Sequence, residues 1–106
     1  MSSNSPTPKA TLTVTAGQSK GGELLLDSRI RYTLGRGHEN HLQVRDLGVS
    51  REHCSVECDG QYFWLVDNGS ANGTFVNDER VGRYMLYDGD VIRLGRSEIV
   101  FRRKPE

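Results

Sequence analysis

Apolar and polar positions alternate along this chain in short runs, and glycine cuts the runs apart. Residues 11–15, Thr-Leu-Thr-Val-Thr, have the period of two expected of a half-buried strand. Residues 23–26 hold three successive leucines, which fit a helix or a strand by pattern alone. The run is short and glycines precede it, so a strand is expected. Residues 31–34 and 41–44 form two more runs. Residues 54–58 alternate, Asp59-Gly60 follows, and residues 61–66 alternate again, which predicts a hairpin with a two-residue turn. Residues 74–77 and 80–81 predict a second hairpin across Asn77, Asp78 and Glu79. Asp88-Gly89 marks a turn, and residues 91–94 and 98–101 pair across a turn at 95–97. The chain contains 12 glycines, and no stretch of ten or more residues keeps a helical apolar period. The pattern predicts an all-β sandwich or barrel without a sequence repeat.

The first hairpin has a consequence for placement. It sets the start of its first strand beside the end of its second, so the loop holding Ser50 and the loop holding Asn72 lie at one end of a sheet. Arg36 cannot be placed this way, because the path from Leu34 to Val44 has more than one solution. In the hairpin's second strand, alternation sends Phe63 to one face and Tyr62 and Trp64 to the other, so one of these sets belongs to the core.

A chain of 106 residues suits one core. Residues 1–9 carry serine, proline, Asn4 and Thr7 and almost nothing to bury, and are expected to be a mobile tail or linker end. The domain proper is expected over residues 10–102, with 103–106 a C-terminal tail, as a module of a larger multidomain protein. Thr7 and Thr11, in or beside that tail, would be open to a kinase. Charge adds little: 14 basic and 14 acidic residues give a net charge of zero, with no field to draw the chain to nucleic acid or a membrane surface. The kind of cation is more informative. Only Lys9, Lys20 and Lys104 are lysine and the rest are arginine, the residue suited to bidentate contacts with carboxylate or phosphate. Cys54 and Cys58 share one strand face about 13 Å apart, too far for a disulfide or for one tetrahedral zinc. They are expected to be small core residues in a reducing compartment, with no metal and no cofactor. No apolar segment is long enough to span a bilayer and no signal peptide pattern opens the chain, so a cytoplasmic location is expected.

Chemistry narrows the choices further. Ser50 and His53 are three residues apart at a loop-to-strand junction, with no nucleophile elbow or paired carboxylates nearby, so no catalytic residue and no small-molecule substrate is expected. A single-strand nucleic-acid site needs spaced aromatics in a basic groove, and Arg102-Arg103-Lys104 alone does not supply one. An anion on a partner protein fits better. Arg36 lies between Gly35 and Gly37, where the backbone is free to adopt conformations closed to other residues. Ser50 offers a hydroxyl, Arg51 a second charge, and Asn72 both a donor and an acceptor. Taken singly, each of these residues reads better as an ordinary surface or turn residue.

Together they carry more. Gly35-Arg36, then Ser50-Arg51-Glu52-His53, then Ser70-Ala71-Asn72-Gly73-Thr74, with the flanking Asp67, Val76, Asn77, Leu86, Gly89, Asp90, Ile92 and Gly95, resemble the forkhead-associated domain in order and spacing over roughly residues 10–102. Such domains are a recognised case of phospho-motif binding through arginine. The resemblance implies a sandwich of about eleven short strands with its binding loops at one end, and a phosphothreonine-dependent interaction module whose partner is a threonine-phosphorylated protein. It assigns Arg36 and Ser50 to the phosphate, Asn72 to the peptide backbone beside the phosphothreonine, and Arg51 to a second phosphate or backbone contact, with Ala71 completing the phosphopeptide-binding set. It makes Gly48-Val49 the specificity loop, with an apolar preference three residues after the phosphothreonine, and Gly35, His53 and Gly73 the structural support. Ala71 departs from the family, which often has threonine or serine there. A hydroxyl is thus missing beside the expected methyl pocket, which bears on the preference for threonine over serine. The alternatives are a forkhead-associated-like scaffold that binds without phosphate through a sheet face, and a small single-strand-binding β domain.

Overall fold

The computed structural model describes residues 8–104. They form eleven strands and no helix: β1 Ala10–Ala16, β2 Glu23–Leu26, β3 Tyr32–Gly35, β4 Leu42–Gln43, β5 Cys54–Cys58, β6 Phe63–Asp67, β7 Thr74–Val76, β8 Glu79–Val81, β9 Arg83–Met85, β10 Val91–Leu94 and β11 Ser97–Arg103. A six-stranded sheet runs β2-β1-β11-β10-β7-β8 and a five-stranded sheet runs β4-β3-β5-β6-β9. All strand pairs are antiparallel except β3 with β4.

The alternation in the sequence becomes the two-sided character of each strand. Leu12, Val14, Ile92, Leu94, Ile99 and Phe101 of the first sheet face Leu34, Val56, Phe63 and Leu65 of the second, and all are at most 1% exposed. Phe63 meets Phe101 across the interface with ring centroids 5.6 Å apart. Phe63 is therefore the core aromatic, while Tyr62 and Trp64 lie on the outer side. The burial of such apolar area, at about 25 cal/mol per Å², is the main force holding the sheets together. The three leucines of residues 23–26 take the strand option because β1 offers them a full ladder, Thr11 opposite Leu25 and Leu12 opposite Leu24.

Several turns differ from the pattern expected. Cys58 pairs with Phe63, so the first hairpin closes over four residues, Asp59 to Tyr62, rather than two. The Asp59 carboxylate accepts from the Gln61 and Tyr62 N–H groups and from Trp64 Nε1, which gives the longer loop its own closure. The second hairpin is a two-residue turn, Val76 opposite Glu79, with positive φ at Asn77 (49°) and Asp78 (71°), the form that matches strand twist. β9 was not legible as a separate run. Thr11 lies inside β1, paired with Leu25 and Arg102, in the strand that the alternation of residues 11–15 predicts. Thr7 and nearly all of the expected 1–9 segment lie outside the described residues. At the other end β11 extends to Arg103, one residue past the expected boundary, and residues 105–106 lie outside the description.

Cys54 and Cys58 sit at opposite ends of β5 and are unpaired. Cys54 is fully buried, and burial, with the nearby Asp67 charge added, pushes its thiol far above the ordinary range. Cys58 is half-buried against the core, and its Sγ accepts from the Gly60 N–H. In the folded protein Ellman's reagent should therefore titrate Cys58 slowly and Cys54 not at all, with both reacting in urea. Rapid reaction of two thiols in native buffer would contradict this placement.

Candidate functional site

Three loops meet at one end of the sandwich, and backbone pairing decides that they meet. β3 stops at Gly35, and two backbone hydrogen bonds just past its end reach the loop before β5: the Arg36 N–H donates to Ser50 O at 2.9 Å and the Gly37 N–H to Arg51 O at 3.1 Å. This places Arg36 beside Ser50, which the sequence alone left open. The glycines here serve close approach rather than unusual dihedrals. Neither Gly35 nor Gly37 has a positive φ, but a Cβ on Gly35 would collide with the Arg51 carbonyl.

Arg36 is held by one nitrogen. Its Nε donates to Val49 O at 3.0 Å, and no hydrogen bond or ion pair among the described residues engages its two terminal nitrogens. Its exposed fork therefore points at solvent from a fixed root. Ser50 Oγ accepts from the Ala71 N–H at 3.1 Å, which links the second loop to the third and leaves the hydroxyl proton to be donated outward. Asn72 Nδ2 donates to Gly48 O at 2.9 Å, which leaves its side-chain oxygen as an acceptor at the surface. Arg51 is exposed and stands 3.6 Å from the Glu39 carboxylate, so its charge is partly matched within the chain. Ala71 is exposed beside Asn72 and contributes through its backbone.

Buried polar groups hold the loops in place. His53 is 0% exposed. Its Nδ1 accepts from the Ser50 N–H at 3.0 Å and its Nε2 reaches Gly73 O at 2.9 Å. Nδ1 is thus the unprotonated nitrogen and Nε2 the donor, so one neutral tautomer bridges two loops. Gly73 has φ +94°, a backbone conformation that favours glycine there. Asp67 accepts from Gly69 N–H, Ser70 N–H, Ser70 Oγ and Thr74 Oγ1, and Ser70 Oγ accepts in turn from Gly73 N–H. Burial opposes ionisation of Asp67, yet these donors outweigh it and keep the carboxyl below its ordinary range.

Two anchors and one surface residue were not singled out from the sequence. Asn40 Nδ2 donates to Gly37 O and Arg51 O, tying the Arg36 loop to the next one. Asp46 accepts from the Gly48 N–H at 2.8 Å, the Arg96 N–H at 2.9 Å and Ser97 Oγ at 2.8 Å, fastening the β4–β5 loop to the β10–β11 turn. Its only local signal was an Asp two residues before a glycine in a loop. The third is Leu47, 98% exposed, whereas Val49 is 2% exposed with its side chain in the core. Gly48-Val49 therefore cannot present an apolar side chain to a ligand. The Val49 N–H donates to Asp46 O at 3.0 Å, closing a turn that has Leu47 exposed at its tip and Val49 packed inside, so Leu47 is the apolar group on the outside of that loop.

Burial opposes the Asp46 charge, but the Gly48 N–H, the Ser97 hydroxyl and the Arg96 N–H win and hold its pKa below the ordinary range. A lowered folded pKa contributes stability that is complete above about pH 4 and fades as pH falls further. Asp46→Asn should cost about 1 kcal/mol at pH 7. The gap between variant and wild type in urea denaturation should narrow toward pH 3. A gap that is constant over that range would show that the carboxylate charge has no part in holding the loop.

A sequence model described as FHA domain matches residues 32–95. The chain is 49% identical over 69 residues to the FHA domain-containing protein FhaA of Mycobacterium tuberculosis (65% of this chain, 13% of that protein). It is 36% identical over 101 residues to the glycogen accumulation regulator GarA of Mycolicibacterium smegmatis (95% of this chain, 63% of that protein). The chain thus spans only part of the length of these curated relatives. Among solved structures, one from a study of phosphothreonine-dependent FHA domain interactions superposes with a TM-score of 0.84 at 41% identity, covering 92% of this chain and 99% of that one.

Proposed function

The chain belongs to the forkhead-associated (FHA) domain family, and from that premise we propose that it is a phosphothreonine-dependent interaction module, without catalytic activity, that docks threonine-phosphorylated partner proteins through Arg36, Ser50, Arg51 and Asn72. The observation that supports this most is the fixed root and open fork of Arg36 beside a Ser50 hydroxyl whose proton is free to be donated. A phosphate dianion, with three charged acceptor oxygens, is the partner such a planar fork suits. In this reading Arg36 takes two phosphate oxygens and Ser50 a third. Arg51 adds charge at the cost of its contact with Glu39. The Asn72 side-chain oxygen accepts from the peptide backbone next to the phosphothreonine, as its Nδ2 is already committed to Gly48 O. Gly35, His53 and Gly73 hold the loops. The missing hydroxyl at Ala71 leaves the methyl of phosphothreonine with fewer fixed neighbours. A cytoplasmic setting within a larger protein is part of the same proposal.

The test is a calorimetric comparison of one phosphothreonine peptide with its unphosphorylated, phosphoserine and aspartate counterparts. Binding should require the phosphate, fail with aspartate (one charge and fewer acceptor oxygens), and weaken below about pH 6, where the phosphate takes up its second proton. Equal binding of the unphosphorylated peptide would transfer the function to a sheet face and the scaffold reading.

A further inference from the structure

We propose that the pole of the sandwich opposite Arg36 is a second docking site, independent of phosphate, for an acidic segment of a partner protein that also carries large apolar side chains. β11 sets the separation between the two poles. Ser97, at its start, bonds Asp46 beside the candidate site, and Arg103 ends the strand about 20 Å away at about 3.3 Å per residue. Two cavities open at this far pole. One of about 510 Å³ is lined by Ala10, Thr11 and Leu25. The other, of about 450 Å³, lies against Tyr62, Leu86 and Tyr87. Asp88, Arg103 and Lys104 line both, so the two join into one groove.

Strand register builds the apolar part of the groove. β2 is an edge strand, and Leu25, Thr11 and Arg102 stand in one row across β2, β1 and β11. Leu25 is 52% exposed in that row, and Tyr87, 57% exposed, stands in the other half of the groove. Alternation in β11 distributes the charge. Arg102 leaves the outer face, and Arg103 turns to the other side, over the rings of Phe63 at 5.5 Å and Tyr62 at 5.8 Å. Lys9 and Lys104 are exposed, and no hydrogen bond or ion pair among the described residues engages either amine. Lys9, Arg102, Arg103 and Lys104 thus surround one carboxylate, Asp88. Its Oδ1 accepts from the Arg103 N–H at 2.9 Å, and its Oδ2 stands 3.8 Å from Arg102. The whole chain has no net charge, so the positive surplus is local to this pole. An acidic ligand complements it, and apolar side chains on that ligand would cover Leu25 and Tyr87. The chain's own remaining residues do not fit: 1–7 hold no acidic residue and 105–106 only Glu106. A single-stranded nucleic acid needs successive stacking platforms, but Arg103 already lies over Tyr62, which leaves Tyr87 as the one open ring of the lining. A partner holding both a phosphothreonine and such a segment would engage both poles at once, and the second contact then gains from a raised effective concentration.

The experiment pans a library of random unphosphorylated peptides on the domain, with counter-selection on the triple variant Leu25→Ser, Tyr87→Ser, Lys104→Glu. All three side chains are exposed, so the melting curves of variant and wild type should nearly coincide. Enriched peptides should combine several acidic residues with large apolar ones. A synthesised winner should bind wild type at least about tenfold tighter than the triple variant. Lys104→Glu alone should lose part of the same affinity, and binding to wild type should weaken as salt rises. The winner should shift the amide NMR signals of Thr11, Leu25, Asp88 and Arg103 and leave those of Ser50 and Asn72 in place. No enrichment, winners without acidic residues, equal binding to wild type and both variants, or shifts confined to the Arg36 end would overturn the proposal. Tighter binding of phosphatidylserine vesicles or of an oligothymidine than of the winning peptide, lost in the triple variant, would overturn the peptide assignment. Self-association of the wild-type domain that the triple variant abolishes would give the groove to a second copy and overturn it as well.

Discussion

Arg36→Ala should abolish measurable binding of a phosphothreonine peptide while leaving the domain folded. The guanidinium is exposed and its single internal bond is Nε to Val49 O, so stability should change by no more than about 1 kcal/mol. Binding should lose on the order of 2–5 kcal/mol, as when one partner of a hydrogen-bonded charge pair is truncated. That corresponds to a factor of about thirty to several thousand in Kd. Arg36→Lys should recover only part of this, since a point charge replaces a two-pronged planar donor. Asn72→Ala should cost less, about 0.5–1.5 kcal/mol, because a neutral hydrogen bond to the peptide is at stake. Calorimetry on the three variants, with melting curves alongside, separates these effects. Wild-type affinity in Arg36→Ala would refute phosphate reading through this site.

His53→Ala should instead reduce stability and binding together. The ring is fully buried, and its removal strands the Ser50 N–H and the Gly73 carbonyl while opening a cavity. An unsatisfied buried group costs about 1–3 kcal/mol, so two of them cost about 2–6 kcal/mol before the cavity is counted. For a domain of this size each kcal/mol shifts Tm by about 4–8 °C, so a fall of at least about 8 °C should be seen by calorimetry or circular dichroism. Below that Tm, phosphopeptide affinity should also drop, because Ser50 and Asn72 lose their common brace. A large fall in Tm with unchanged affinity would mean that the loops find their geometry without the imidazole.

The strands were legible because burial on one face of a sheet writes itself into sequence with a period of two. Residues 23–26, 54–58 and 91–94 could be delimited to the residue, and Phe63 separated from Tyr62 and Trp64, on that signal alone. The same hairpin logic set Ser50 and Asn72 at one end, where Ser50 Oγ and the Ala71 N–H do meet. Turn closure was less legible. Asp59-Gly60 signals a turn, but its length depended on where the Asp59 carboxylate found its amide donors, a competition among loop conformers that no pairwise pattern encodes.

What only the tertiary structure decided is which polar side chains converge and which loop residue faces outward. Arg36 joins Ser50 through a loop backbone hydrogen bond past the end of β3, and Asp46 reaches a turn 50 residues further along the chain. Such contacts are fixed by how two sheets close, and a lone aspartate or arginine carries no periodic mark of its distant partner. Val49 and Leu47 are both apolar loop residues in sequence, but packing buries one and leaves the other in solvent. The chain by itself determines which residues must be inside. Where a loop has more apolar residues than the core can hold, the geometry of closure chooses among them.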